Sequence, residues 1–311
     1  MYYPYFRGKQ YELITIREMA GLLAEKDFIP VIEPVRESLN GLKRALEAIH
    51  DAGGKAIVIV NPHHGDHQDD GANITSFLED EFSGSTNISA GILLRNGISV
   101  DDAFSCFERH VPHNPVLVHM GFTEPKALAA RLEGRMHEIT NIFIDDYAKL
   151  LYRKHFSESR RILIRDGFNR QRNADYPEVE TFSELHATYL ELGMRGFGDF
   201  LMVGDAYTEG GGPAYAVAIH LTFIDREKDD VMYIYHFVSD TKDTPTDPAG
   251  KFAQALHKLI TKLDSGSSGI FEGKAIEEFR VLHAKGHFPG LGYVKKLSMK
   301  HHIETLANYL K

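Results

Sequence analysis

Short runs of apolar, mostly β-branched residues recur along the first two thirds of the chain, and most are followed by apolar residues at helical spacing. Strand-length runs that alternate with amphipathic helices are typical of βα units around a parallel sheet. The segment before the last run, Phe182–Leu192, is predicted to be a helix. The eight runs that we predict to be strands are Tyr2–Arg7, Phe28–Glu33, Lys55–Asn61, Ala90–Arg95, Pro115–His119, Asn141–Asp145, Arg161–Asp166 and Asp199–Asp205.

The number and spacing of these units favour the α/β class and, within it, a (β/α)8 TIM-type barrel over an open doubly wound sheet. The first strand is not followed by the glycine-rich dinucleotide-binding fingerprint that many open sheets carry. We therefore expect residues 1–206 to form the barrel core.

The pattern changes after residue 206. Tyr215–Ile224 and Val231–Val238 flank a charged turn and predict an antiparallel β-hairpin, inserted after strand 8 within residues 207–250. Residues 251–311 contain three helical patterns. We expect these C-terminal helices to pack on the barrel and the last of them, Met299–Leu310, to close it.

Composition and charge narrow the class of protein. Acidic residues outnumber basic ones by 44 to 35, so the formal charge is −9, and the chain lacks the broad positive surface of proteins whose principal ligand is nucleic acid. Cys106 is the one cysteine, so no internal disulfide forms, and no run of about 18 apolar residues predicts a membrane span. The first residues show no secretory signal pattern, and a cytoplasmic protein is expected.

Catalytic side chains of TIM barrels lie at the carboxyl ends of the strands, and here those ends are polar. His63, Arg95, His119 and Arg165 lie at or just after predicted strand ends, and we predict catalytic roles for them. An imidazole can carry a proton near neutral pH, and a guanidinium can orient a phosphate or carboxylate. The alternatives are solvated histidines and arginines that pair with neighbouring carboxylates.

Three carboxylates at strand ends, Glu33, Asp145 and Asp205, predict a site for a divalent metal such as Mg²⁺, Mn²⁺ or Zn²⁺. The segment Asn61–Asp70 adds three histidines and three aspartates, but their spacing matches no metal-binding motif. Its glycine and proline equally suit an exposed loop, which is the interpretation we favour for His67.

Three consecutive glycines, Gly210, Gly211 and Gly212, follow the eighth predicted strand. TIM barrels frequently bind phosphate after strands 7 and 8, and glycines let backbone N–H groups approach an anion, so a cofactor-binding or phosphate-binding loop is predicted. A hinge that leads into the hairpin is an equal alternative, because no Lys-Ser/Thr pair follows as in a P-loop.

His236, Ser239 and Asp240 lie close together in sequence and raise the question of a Ser–His–Asp triad. The chain has no Gly-x-Ser-x-Gly elbow, so we interpret this segment as a turn, in which Asp247 caps the following helix. Cys106 lies in an apolar helical stretch and is predicted to be a core residue.

The opening Tyr3–Leu13, together with Ile29–Pro34, resembles the beta-protein family of bacteria and phages. Gly196–Thr222 and His236–Asp240 look like a bacterial branch of that family, and the similarity spans essentially the whole chain. The resemblance implies a barrel-like fold and a place in mobile or phage-defence loci. It implies no set of catalytic residues.

Two hypotheses about function follow. The first is a metal-dependent hydrolase of a phosphate ester or nucleotide-like substrate, an anionic small molecule that Arg95 and Arg165 orient while His119 or His63 moves a proton. The second is a non-catalytic recognition or assembly protein, whose hairpin and C-terminal helices bind a protein partner.

Overall fold

The computed structural model describes residues 1–210, 212 and 214–310, which form two compact units. The barrel unit comprises Met1–Asp166 and Thr188–Phe200, and the sheet unit comprises Gly167–Ala187 and the chain from Leu201 onward. The strands in chain order are β1 Tyr5–Phe6, β2 Val31–Ile32, β3 Ala56–Ile59, β4 Ile88–Arg95, β5 Val116–Met120, β6 Thr140–Ile144, β7 Arg160–Ile164, β8 Val179–Ser183, β9 Gly196–Gly198, β10 Ala218–Asp225 and β11 Val231–Val238. The α-helices in chain order are α1 Gln10–Glu25, α2 Asn40–Asp51, α3 Ala72–Glu81, α4 Val100–Arg109, α5 Pro125–Arg131, α6 Leu150–Arg153, α7 Leu185–Thr188, α8 Pro248–Asp264, α9 Lys274–Lys285 and α10 Leu291–Tyr309.

Eight parallel strands form the barrel in the order β1-β2-β3-β4-β5-β6-β7-β9. Backbone hydrogen bonds join the last strand to the first: the Tyr3 N–H donates to the Phe197 carbonyl at 2.8 Å and the Tyr5 N–H to the Asp199 carbonyl at 2.9 Å. The predicted α/β TIM barrel is therefore confirmed.

The barrel strands are apolar on both faces because side chains fill the inside and helices cover the outside. All four residues of β3 are buried, as are the last three of β7. Alternate residues point inward, so Val116 and Val118 of β5 belong to the interior cluster while Leu117 lies on the opposite face. Among the described residues, no helix is long and apolar enough to cross a membrane.

The eighth barrel strand is β9, and the predicted strand Asp199–Asp205 was wrong. Glycine is a poor strand former, so Gly196 and Gly198 hid this strand from the sequence pattern. The structure requires glycine there, since an added Cβ at Gly198 would clash with the carbonyl oxygen of Tyr3 on the neighbouring chain segment.

A three-stranded antiparallel sheet in the order β10-β11-β8 forms the centre of the sheet unit. The predicted hairpin is confirmed as β10 and β11, with His220 opposite His236. Strand β8 was missed: Phe182 was predicted to begin a helix, but it lies within this strand, and only α7 is helical. Strand β11 of the hairpin is the central strand of this sheet, so the hairpin is part of the core of the sheet unit.

Helices α8, α9 and α10 pack within the sheet unit on a core that includes Leu221, Phe252 and Leu297. Asp247 caps α8 as predicted, because its carboxylate accepts the Gly250 N–H at 2.9 Å. The last helix packs against β10 instead of closing the barrel, which strand pairing already closes. These two units differ from the three segments predicted from the sequence, whose boundaries were at residues 206 and 250. The reason is that β8, which precedes residue 206, pairs with the hairpin strand β11.

Candidate functional site

Charged residues surround the carboxyl ends of the barrel strands. Strands β1, β2, β4, β6 and β7 end in, or are followed at once by, Arg7, Glu33, Arg95, Asp145 and Arg165. The interior of the barrel below them is filled by apolar side chains. This arrangement places a polar mouth over an apolar floor, where catalytic and binding residues of TIM barrels lie.

Glu33 and Arg7 form a buried ion pair at this mouth. Glu33 is 0 % exposed and Arg7 is 3 % exposed, and the Arg7 guanidinium donates to Oε2 of Glu33. The Tyr5 hydroxyl donates to the same oxygen at 3.0 Å, and the backbone N–H groups of His63 and His64 donate to Oε1 at 2.8 and 3.1 Å. Donors from separate chain segments therefore occupy both carboxylate oxygens.

The charge state of Glu33 follows from these partners. Burial raises the pKa of Glu33, but the Arg7 and His64 charges and the hydrogen bonds from His63 and Arg7 outweigh it, so the pKa lies below its ordinary value. Glu33 is thus ionised at neutral pH and anchors the segment after β3. Sequence reasoning missed Arg7, although its place two residues after Tyr5 puts both on one face of β1.

The segment after β3 is held closely against the mouth. Gly65 has a φ of +77°, and an added Cβ would clash with neighbouring backbone, so glycine is required there. His67 is 4 % exposed and its Nε2 lies 3.1 Å from the Arg36 carbonyl, so its interpretation as an exposed loop residue was wrong. His63 is exposed, and its ring lies 4.6 Å from that of His64.

Asp145 joins two arginines on the far strands of the mouth. Its Oδ1 accepts from Arg153 at 3.1 Å and its Oδ2 accepts from Nε of Arg165 at 2.7 Å. Arg165 therefore pairs with a neighbouring carboxylate, which was the alternative to phosphate binding in the sequence analysis. Its predicted role in orienting phosphate stays a prediction.

The predicted metal site is not formed among the residues that the structure describes, which contain no group of three or more His, Cys, Asp or Glu side chains arranged to hold a metal ion. The oxygens of Glu33 and Asp145 are occupied by arginine donors. The third predicted ligand, Asp205, belongs to the sheet unit, whereas Glu33 and Asp145 belong to the barrel unit.

His119 does not reach the mouth, and its predicted role as a proton carrier was wrong. It is 0 % exposed and stacks on Phe143 at 4.7 Å, on the face of β5 that points away from the barrel interior. Its ring nitrogens lie 2.8 Å from the Tyr152 hydroxyl and 2.7 Å from Oδ1 of Asn141. Burial lowers the pKa of His119 to about 4, so this ring is a neutral core residue.

Arg95 differs from the other mouth arginines because no described side chain forms an ion pair with it. It lies two residues after Leu93, on the interior face of β4. Its Nε is buried and has no hydrogen bond to a described residue. Asn61, at the end of the adjacent strand, does not pair with Arg95. Its Nδ2 donates to the Leu93 carbonyl at 3.0 Å, and its Oδ1 accepts from the Leu93 N–H at 2.8 Å.

The glycine-rich segment lies in the sheet unit. Gly211 lies outside the described residues. An added Cβ at Gly210 or Gly212 would meet no described atom within 4 Å, so neither position needs glycine for space. The predicted phosphate-binding loop stays a prediction.

No protein-family model matches this chain, and no curated protein matches it significantly. One similar solved structure is an asparagine-to-alanine mutant of morphinone reductase in complex with tetrahydroNAD, with a TM-score of 0.38 and 11 % identity over 64 % of this chain and 82 % of that one. Another is the enoyl reductase domain of MlnA from the macrolactin biosynthesis cluster of Bacillus amyloliquefaciens, with a TM-score of 0.39 and 12 % identity over 99 % of this chain and 80 % of that one. With TM-scores this low, the strand order alone identifies the fold.

Proposed function

We propose that the mouth of the barrel unit binds an anionic small molecule, a phosphate ester or a carboxylate, through Arg95. The observation that carries the proposal is that the guanidinium of Arg95 forms no ion pair with any described side chain; its Nε, like those of Arg7 and Arg153, is also buried without a hydrogen bond to a described residue. The other arginines of the mouth, Arg7, Arg153 and Arg165, all pair with carboxylates.

The energetics of a partly buried cation support a bound anion. A buried donor without an acceptor costs about 1–3 kcal/mol, and the cost is larger for a charged group. A phosphate or carboxylate offers the planar guanidinium two parallel acceptors, which is the geometry that favours arginine over lysine. A ligand at Arg95 would therefore supply the counter-charge that no described side chain gives this guanidinium.

Hydrolysis of the bound ester, expected from the sequence, needs a proton carrier at the same mouth. His63 supports this part of the proposal because its imidazole is exposed while Glu33 fixes its backbone. No metal enters the proposal, since two of the three predicted ligands, Glu33 and Asp145, are bonded to arginines. Membership of the beta-protein family and a role in phage defence also stay proposals.

Calorimetric titration of the full chain tests anion binding, with inorganic phosphate, citrate and nucleoside monophosphates as probes at low salt. The variant Arg95→Met should weaken binding roughly 10- to 100-fold, the loss expected for one charge-assisted bond of about 1.5–3 kcal/mol. The control is Arg131→Met, which removes an exposed arginine paired with Asp101 on the helical surface of the barrel unit. Equal affinity of the two variants and the unmodified chain would refute the proposal.

A further inference from the structure

Three polar side chains lie in a row on one face of the sheet unit's antiparallel sheet. Glu180 lies on β8, His236 on β11 and His220 on β10, with the two histidines directly opposite in register. Alternate residues of the same strands, such as Leu221 and Tyr235, lie on the other face in the apolar core. We call Glu180, His236 and His220 the sheet row.

Hydrogen bonds connect the sheet row from end to end. Nε2 of His236 lies 3.2 Å from Oε1 of Glu180, and the Nδ1 atoms of His236 and His220 lie 2.7 Å apart. A carboxylate only accepts, so Nε2 of His236 donates and its Nδ1 carries a lone pair. That lone pair accepts from Nδ1–H of His220, which leaves a lone pair on Nε2 of His220.

Aromatic packing fixes both imidazoles in these orientations. The Tyr176 ring stacks on His236 at 4.4 Å with an interplanar angle of 16°, and Phe168 meets His220 edge-on at 5.1 Å. His220 is partly exposed, and its Nε2 forms no hydrogen bond with any described residue. Burial lowers the pKa of His220 to about 3 and that of His236 to about 4, so both rings are neutral at neutral pH.

We propose that the sheet row is a proton relay that makes His220 a general base for the hydroxyl group of a substrate. Nε2 of His220 takes the O–H proton and leaves the electron pair on oxygen. The Nδ1 proton of His220 then passes to Nδ1 of His236, and the Nε2 proton of His236 passes to Glu180. Both imidazoles end neutral, and the proton resides on a carboxyl whose side chain is 21 % exposed to solvent.

A relay allows His220 to act as a base although the pKa values of both histidines are low. A buried imidazolium is disfavoured, so a lone histidine here would accept a proton poorly. Passing the charge on to Glu180 removes that cost, because neither ring has to remain cationic. The sheet row differs in this from a Ser–His–Asp triad, whose carboxylate stabilises the imidazolium and does not become protonated.

The resting tautomers are tested first, by nitrogen-15 NMR of the full chain labelled at histidine. The relay requires the Nδ1–H form of His220 and the Nε2–H form of His236 at neutral pH. An Nε2–H form of His220 would overturn the proposal. This measurement needs no variant, so it decides the matter even where a substitution prevents folding.

Reactivity is tested with diethyl pyrocarbonate at pH 7, read by peptide mass spectrometry. Nε2 of His220 attacks a carbonyl carbon of the reagent, ethyl carbonate leaves, and the Nδ1 proton moves down the row. Glu180→Gln keeps an acceptor for His236 but cannot hold the proton, so acylation of His220 should slow by roughly threefold or more. Glu178→Gln is the control, because Glu178 is exposed and contacts His236 only through its backbone carbonyl, at 2.9 Å.

Equal rates in the two glutamine variants, or an unreactive His220 in the unmodified chain, would overturn the relay. A purely structural sheet row predicts that the two variants react alike. Anion binding at Arg95 is measured separately in the barrel unit, so its failure leaves this result unaffected.

Discussion

Replacing Glu33 by Gln should destabilise the barrel unit strongly, because it removes the buried carboxylate charge that pairs with the Arg7 guanidinium. The substitution keeps the side-chain size but only one oxygen, so the donors on one of the two carboxylate oxygens, Tyr5 and Arg7 or the N–H groups of His63 and His64, lose their acceptor. The change therefore removes the charge of the pair together with the hydrogen bonds to one oxygen. Glu33 is 0 % exposed and Arg7 is 3 % exposed, so solvent screens the pair little.

The size of the effect follows from this burial. Removing one partner of a buried ion pair costs about 3–5 kcal/mol, whereas an exposed pair contributes about 0–1 kcal/mol. For a large domain, about 2–4 °C of melting temperature is lost per kcal/mol, so a fall of roughly 6–20 °C is expected. The matched control is Glu108→Gln, which breaks an exposed pair with Arg135 on the helical surface and should change the melting temperature by only a few degrees.

Thermal unfolding followed by far-UV circular dichroism measures this loss, since the chain has no tryptophan. The double variant Arg7→Met with Glu33→Gln provides the decisive comparison. It removes the guanidinium charge as well, and the shorter apolar side chain can pack on the Tyr5 and Phe200 rings that the guanidinium now covers at 5.0 and 5.3 Å. The double variant should be more stable than Glu33→Gln alone. Additive losses would refute the account of a coupled buried pair.

Three further outcomes are expected. Arg95→Met should leave the melting temperature unchanged or raise it slightly, since an unsatisfied donor costs about 1–3 kcal/mol; a marked fall would assign Arg95 to the fold. Gly198→Ala should cost about 3 kcal/mol or more through its clash with Tyr3, while Gly134→Ala, which meets no atom within 4 Å, should cost little in the same melts. The pKa of Glu33 is lowered on folding, so its ionic stabilisation is full above about pH 5 and is lost as pH falls through the lowered pKa; the melting-temperature gap to Glu33→Gln should therefore narrow once the pH falls below about 5 and close below the lowered pKa, and a constant gap would contradict the assignment.

Much of the barrel could be predicted from sequence because each central strand is a continuous apolar run with a helix after it. The last strand could not, since the glycines of Gly196–Gly198 carry no side chains to form a pattern, and the close approach of Tyr3 that requires glycine is visible only in three dimensions. Strand β8 was missed because its partner, β11, lies about fifty residues later in the chain.

The residues of the candidate site also divide into those that the sequence predicted and those that it could not. Strand ends indicated Glu33, Arg95 and Asp145 correctly as mouth residues, because that edge of a parallel sheet is polar. The sequence could not show whether the His119 side chain points into or out of the barrel. Strand β5 is buried on both faces, so its run of apolar residues does not distinguish the inside of the barrel from the outside. Arg7 and Glu33 follow neighbouring strands and pair with each other, which the sequence did not indicate. Because Glu33 is occupied in this way, it holds the segment after β3 in place, and Arg95 is the mouth arginine for which no described side chain forms an ion pair.

A crystal structure of the full chain soaked in selenate tests the central claim most directly. Selenate has the tetrahedral shape and charge of a phosphate group, and its selenium gives an anomalous signal. The account predicts an anomalous peak beside the Arg95 guanidinium, with selenate oxygens within hydrogen-bond distance of its nitrogens, and no such peak in Arg95→Met crystals. Selenate bound elsewhere in the barrel unit, with no anion at Arg95, would contradict it.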